Sequence, residues 1–108
     1  MSFFIFPQGW IAPAIAAAAI SFGSIGSPTV IEYRNLPGKG LGEAYKPNTI
    51  VIDKKPASQW TRQKAQCVIG HEYAHLAGRK HSENPRSIMS PVLTYEACMR
   101  WLKRRGLE

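Results

Sequence analysis

At 108 residues and 12.0 kDa the chain has the length of one domain with a modest core, and the lack of internal repeats or a low-complexity linker excludes a repeat array. A net charge of +7 and a sequence pI of about 9.8, with Arg100, Lys103, Arg104 and Arg105 clustered near one end, raise the question of an anionic partner. Basic residues in a last helical turn are already favoured by the helix dipole, and no nucleic-acid-binding module is recognisable, so a nucleic-acid partner is set aside.

In chain order, the first element is an uncharged segment, Ser2 to Ser27, almost wholly apolar from Phe3 to Phe22. A secretory signal would explain the run Ala16 to Ala19, but the basic n-region is missing because the first Lys or Arg is Arg34. A membrane span has about the right length. Pro7, Gly9 and Pro13 interrupt its first half, however, and only Ala14 to Phe22 reads as continuously helical. Its basic flank would also place the rest of the chain in the cytoplasm. The expectation is therefore an N-terminal unit, residues 1–27, that is buried. It either backs a small sheet through self-association or inserts into a protein partner of a larger assembly such as a virion or secretion machine, with a membrane anchor as the alternative.

Thr29 to Tyr33 has the β-branched and aromatic content of a strand. Leu36 to Gly42 is a glycine-rich loop, and without a G-K-[ST] ending it is no phosphate cradle. Lys54 to Ser58 reads as a turn, after which Ser58 or Thr61 can cap a helix from about Arg62 to Ala77. Ala65, Val68, Ile69 and Leu76 form its buried stripe. A second helix is predicted from about Thr94 to Arg105, with Tyr95, Cys98, Met99 and Leu102 on its apolar side.

All three histidines fall within the first of these helices and the residues just after it, in His71-Glu72-Tyr73-Ala74-His75-Leu76-Ala77-Gly78-Arg79-Lys80-His81. One helical turn separates His71 from His75, so both imidazoles can reach one ion, while Glu72 projects beside them without being a ligand. Gly78 can adopt a positive φ, end the helix and turn the chain back, which brings His81 in as the third ligand. Three protein ligands leave the fourth tetrahedral position of a Zn2+ ion open, as in a catalytic rather than a structural site. Shuffling this composition would give the whole pattern in roughly one chain in a hundred thousand, so chance is a poor explanation.

The residues that follow, His81-Ser82-Glu83-Asn84-Pro85-Arg86-Ser87-Ile88-Met89-Ser90-Pro91, resemble the methionine-containing turn of the metzincin zinc peptidases in its matrixin version. Leu41 to Tyr45 is similar to the matrixin edge strand that pairs with an extended substrate, and Thr49 to Asp53 to the strand after it. The resemblance spans about residues 36–105 and is specific from His71 to Pro91. It implies a small α+β zincin domain, residues 28–108, with a short mixed sheet, an active-site helix, a Met-turn and a C-terminal helix. It further implies a zinc endopeptidase in which Glu72 is the general base, Met89 supports the metal site without binding it, and Gly42, Glu43, Ala44 and Tyr45 hold a peptide substrate by strand addition. The chain departs from the family in having no Asp/Gly-rich stretch for calcium, no further His for a second zinc and no propeptide cysteine switch. Cys67 and Cys98 are expected to serve as small buried apolar residues, with one bridge as the alternative. The competing function is an assembly protein that keeps the zinc-stabilised fold without proteolysis.

Overall fold

The computed structural model describes residues 5–38 and 40–108. Met1 to Phe4 of the uncharged segment and Lys39 of the glycine-rich loop lie outside the described residues. A 15-residue helix, α3 (Arg62–Leu76), is the element against which most of the others pack. It starts where Thr61 accepts a hydrogen bond from the Lys64 N–H through its Oγ1 (3.2 Å), satisfying one amide that has no partner inside the helix. Residues Ala65 to Ala74 are all buried, so every face of its middle is covered.

The sheet has three strands in the order β1-β3-β2, with β1 (Val30–Arg34) parallel to β3 (Thr49–Asp53) and β2 (Gly42–Tyr45) antiparallel to it. As the central strand, β3 is buried from Ile50 to Asp53. Ile50 aligns with Ile31 and Ala44, and Ile52 with Tyr33 and Gly42, so these side chains share the sheet face that looks toward the helices. Both β1 and β2 are edge strands. The predicted turn at Lys54 is a single helical turn, α2 (Lys54–Ala57).

The N-terminal segment differs from its reading in extent. Its helix, α1, runs from Gln8 to Phe22 and contains Pro13, whereas the prolines and Gly9 had pointed to a break before Ala14. An interior proline costs a helix about 3 kcal/mol, and packing of the first turns offsets it here. Phe6 is buried against Trp10, Tyr33 and Trp60, with ring centroids 5.6–6.0 Å away, and Ile11 is buried one turn further on. Ala14, Ala17 and Ala18 lie on the face toward α3, and their small side chains let the two helix backbones come close. Two hydrogen bonds tie the N-terminal segment to the rest of the chain: the Ile25 N–H donates to the Tyr73 hydroxyl of α3 (3.0 Å), and Trp101 Nε1, from the last helix, donates to Ser21 Oγ (3.1 Å). Ile20 on the opposite face is 74% exposed. Among the described residues no helix is long and apolar enough to cross a membrane.

The last helix, α4 (Tyr95–Arg104), is capped by Thr94 and lies against α3. Its Trp101 ring fills the space over Gly70, where a Cβ would fall 2.6 Å from the ring edge. The cysteines take the alternative role: Cys67 and Cys98 form a disulfide with their Cα atoms 5.6 Å apart, because α4 crosses α3 at the residue where both side chains point into the core. Both sulfurs are buried, so the apolar environment was correctly expected and the covalent link was not. Closing a loop across a sequence separation of 31 restricts the unfolded chain and is worth about 3–4 kcal/mol. The double variant Cys67→Ala, Cys98→Ala should therefore unfold at markedly lower urea concentration than the oxidised protein. Coincident urea midpoints for the two would show that the bridge contributes nothing.

Candidate metal centre

Helix α3 places His71 and His75 one turn apart, and its C-terminus determines where His81 goes. The Gly78 N–H donates to the His75 carbonyl (3.0 Å) and the Arg79 N–H to the Ala74 carbonyl (2.9 Å), while Gly78 holds φ at +93°. That is the Schellman pattern, which needs a residue free of a Cβ penalty at positive φ, so glycine is the residue expected there. Beyond it the chain doubles back and His81 faces the two helical histidines.

The three Nε2 atoms form a nearly equilateral triangle, 3.3 Å from His71 to His81, 3.3 Å from His71 to His75 and 3.2 Å from His75 to His81. Zinc–nitrogen bonds of about 2.0–2.1 Å in a tetrahedron require nitrogens about 3.3–3.4 Å apart, so the donor set fits one zinc ion. Proton placement strengthens the fit. His71 Nδ1 lies 2.7 Å from the Ile88 carbonyl and His75 Nδ1 lies 2.8 Å from the Arg79 carbonyl, contacts that only an N–H can make as donor. In the neutral rings both Nε2 atoms then carry lone pairs aimed at each other, and a cation at their centre turns that repulsion into attraction. Carbonyl partners on the second nitrogen are also how proteins fix the tautomer and orientation of a ligand histidine. Burial is the main influence on His71; it lowers the pKa and keeps the ring neutral, with the neighbouring His75 and His81 acting in the same direction against the Ile88 carbonyl.

Met89 is buried, and its turn reaches the centre through the backbone. Ile88 supplies the carbonyl that orients His71, and the Met89 carbonyl accepts from the Ser82 N–H (2.9 Å), pinning the residue after His81. The Met89 N–H is in turn satisfied by Ser87 Oγ.

Glu72 lies on the wall of a cavity of about 200 Å³ formed with Gly40, Leu41, Gly42, Val68, His71, His81, Pro91 and Leu93. The residue is only 7% exposed and its carboxylate has no hydrogen-bond partner among the described residues. Burial, and secondarily the charge of Glu43, push its pKa up to about 7. Strand β2 passes directly over it. A Cβ on Gly42 would lie 3.0 Å from the Val51 carbonyl and 3.4 Å from Glu72 Cγ, so glycine keeps that approach open. Of the other proposed substrate-binding residues, Glu43 and Tyr45 are exposed and Ala44 is half-buried, all on the edge strand.

Three features went unread in the sequence. Val68, assigned to the core, also forms the cavity wall; Pro91 and Leu93 close its other side; and Gly70, directly before His71, is the seat of Trp101. The last left a signal, since a glycine in the interior of a helix costs about 1 kcal/mol against alanine and calls for a packing reason.

No family model matches the chain, and neither a curated protein nor a solved structure is significantly similar to it.

Proposed function

We propose that the chain is a zinc-dependent metallopeptidase on a reduced, matrixin-like metzincin domain, with His71, His75 and His81 as metal ligands and Glu72 as general base. The observation that carries this reading is the pairing of a zinc-sized triangle of imidazole nitrogens with a carboxylate that has no hydrogen-bond partner among the described residues, on the wall of one cavity. A zinc-stabilised structural protein has no use for that carboxylate, whose burial costs stability.

A zinc ion held by the three histidines would supply Lewis acidity, polarising a carbonyl and lowering the pKa of water toward about 7. The other tasks belong to the protein. Glu72, on the cavity wall beside the histidines, is placed to accept a proton from the attacking water and to return it to the leaving amine nitrogen. The edge of β2 offers backbone N–H and carbonyl groups to an extended peptide beside the cavity, and Gly42 lets that strand lie close to Glu72. The cavity itself has room for one apolar side chain.

Metal analysis and cleavage of a peptide library test the proposal together. Purified protein should hold a single zinc per chain and cleave a subset of the library, and His81→Ala should lose most of the metal and all of the cleavage. Zinc content in His81→Ala equal to that of the wild type would refute the three-ligand centre, whatever the library shows.

A further inference from the structure

A second cavity, of about 390 Å³, lies on the far side of Leu93 and is lined by Thr61, Gln63, Lys64, Leu93, Thr94, Tyr95 and Cys98. Leu93 lines both cavities and is the partition between them. None of the seven residues is acidic. Lys64 is half-buried and makes no ion pair among the described residues, while the nearby Arg62 pairs with Glu108 and the first-turn acid of α4, Glu96, pairs with Arg86. The cavity is also where the first turns of α3 and α4 meet, each with amide N–H groups that have no partner inside the helix, so their dipoles add to the ammonium. Tyr95, 80% exposed, stands at the rim.

We propose that this cavity is a second substrate subsite, which takes an acidic side chain of the peptide already seated beside Glu72 and binds its carboxylate through Lys64. The inference rests on the peptidase reading for the path of the peptide. Its spacing comes from α3: Lys64 precedes His71 by seven residues, about 10 Å along the helix axis, which an extended peptide covers in about three residues. The acidic residue is therefore expected about three positions from the side chain in the first cavity. Leu93 makes the two pockets distinct, so one side chain does not fill both.

Binding can be separated from turnover. Zinc-loaded Glu72→Gln protein would be titrated with fluorescent peptides carrying Glu, Gln or Lys at each successive position outward from the cleavable bond, and the same peptides would be offered to the wild type for cleavage. At one position Glu should bind about tenfold more tightly than Gln at low salt, as expected for a charge-assisted hydrogen bond, and Lys more weakly than either. The Glu-to-Gln ratio should fall to about one when Lys64→Gln is added and persist with Lys64→Arg, a pair that separates loss of charge from loss of fold. Equal affinities at all positions, an undiminished ratio in Lys64→Gln, or no binding of any peptide overturns the subsite. A Glu preference that depends on Lys64, with no cleavage of any peptide by the wild type, would keep the subsite and sink the peptidase reading. Cleavage without the preference would do the reverse.

Discussion

Glu72→Gln is expected to retain zinc and fold, and to slow peptide hydrolysis by about 10²–10⁴-fold, the usual contribution of a general base. The change removes a proton acceptor and little else, because the side chain keeps its size and its carboxylate has no hydrogen bond to lose among the described residues. Equal cleavage by variant and wild type would show that Glu72 is not the base. If both proteins bind zinc tightly and neither cleaves any peptide, the zinc-stabilised assembly protein becomes the better account. A second measurement reads the same residue without catalysis. In metal-free protein the pKa of Glu72 lies at about 7 against 4.5 for the unperturbed group, so folding favours the protonated form. That contribution is complete below about pH 4.5 and is lost as pH rises to about 7. Above that range the buried carboxylate costs about 3–4 kcal/mol, at about 1.4 kcal/mol per pKa unit. Metal-free Glu72→Gln should therefore be more stable than metal-free wild type at pH 8, and the gap should close on acidification to pH 4. A gap of the same size at both pH values would mean that ionisation of Glu72 is not its source.

Deleting residues 2–27 is expected to give an aggregating protein that does not hold zinc. The described part of that range buries Phe6, Ile11, Ala14, Ala17 and Ala18, and its loss would bare the face of α3 opposite the ligands. It would also strip Tyr73 and Trp101 of the polar partners provided by Ile25 and Ser21. Burial is worth about 25 cal/mol per Å² of apolar surface, and a typical domain is stable by only about 5–15 kcal/mol, so losing one of three packed helices is more than the rest can absorb. A soluble, monomeric, zinc-loaded domain beginning near Pro28 would overturn this, and would mean that α1 serves something other than the fold. Size-exclusion chromatography with metal analysis decides it.

What could be read in advance follows from how local each signal is. Helix α3 was legible to within a residue because Thr61 and Gly78 mark its ends by their own hydrogen bonding, and the clustering of the three histidines was legible because their spacing is written along one helix and one turn. The order of the strands was not, since the parallel pairing of β1 with β3, which leaves β2 on the outer edge, depends on contacts that neither strand encodes alone. The first half of α1 was misread for the opposite reason. Pro7, Gly9 and Pro13 are strong local signals, and the cluster of Phe6 with Trp10, Tyr33 and Trp60 that overrides them is assembled from three separate parts of the chain. Likewise, two cysteines at a separation of 31 say nothing about the distance between their Cα atoms until the crossing of α3 and α4 is known.

The disulfide encloses more than a stretch of backbone. Between Cys67 and Cys98 lie His71, Glu72, His75, Gly78, His81 and Met89, so the whole metal motif belongs to one covalent ring. When the oxidised protein unfolds, its three imidazoles stay tethered in a closed loop and would retain some affinity for a zinc ion; in the Cys67→Ala, Cys98→Ala chain that constraint is gone. A ligand stabilises a fold only by the difference between its affinities for the folded and unfolded states. Added zinc should therefore raise the stability of the Cys67→Ala, Cys98→Ala variant, which has no bridge and no thiols to bind the metal, more steeply, per decade of free metal, than that of the oxidised protein, and the bridge and the ion would act as partly redundant constraints on the same loop.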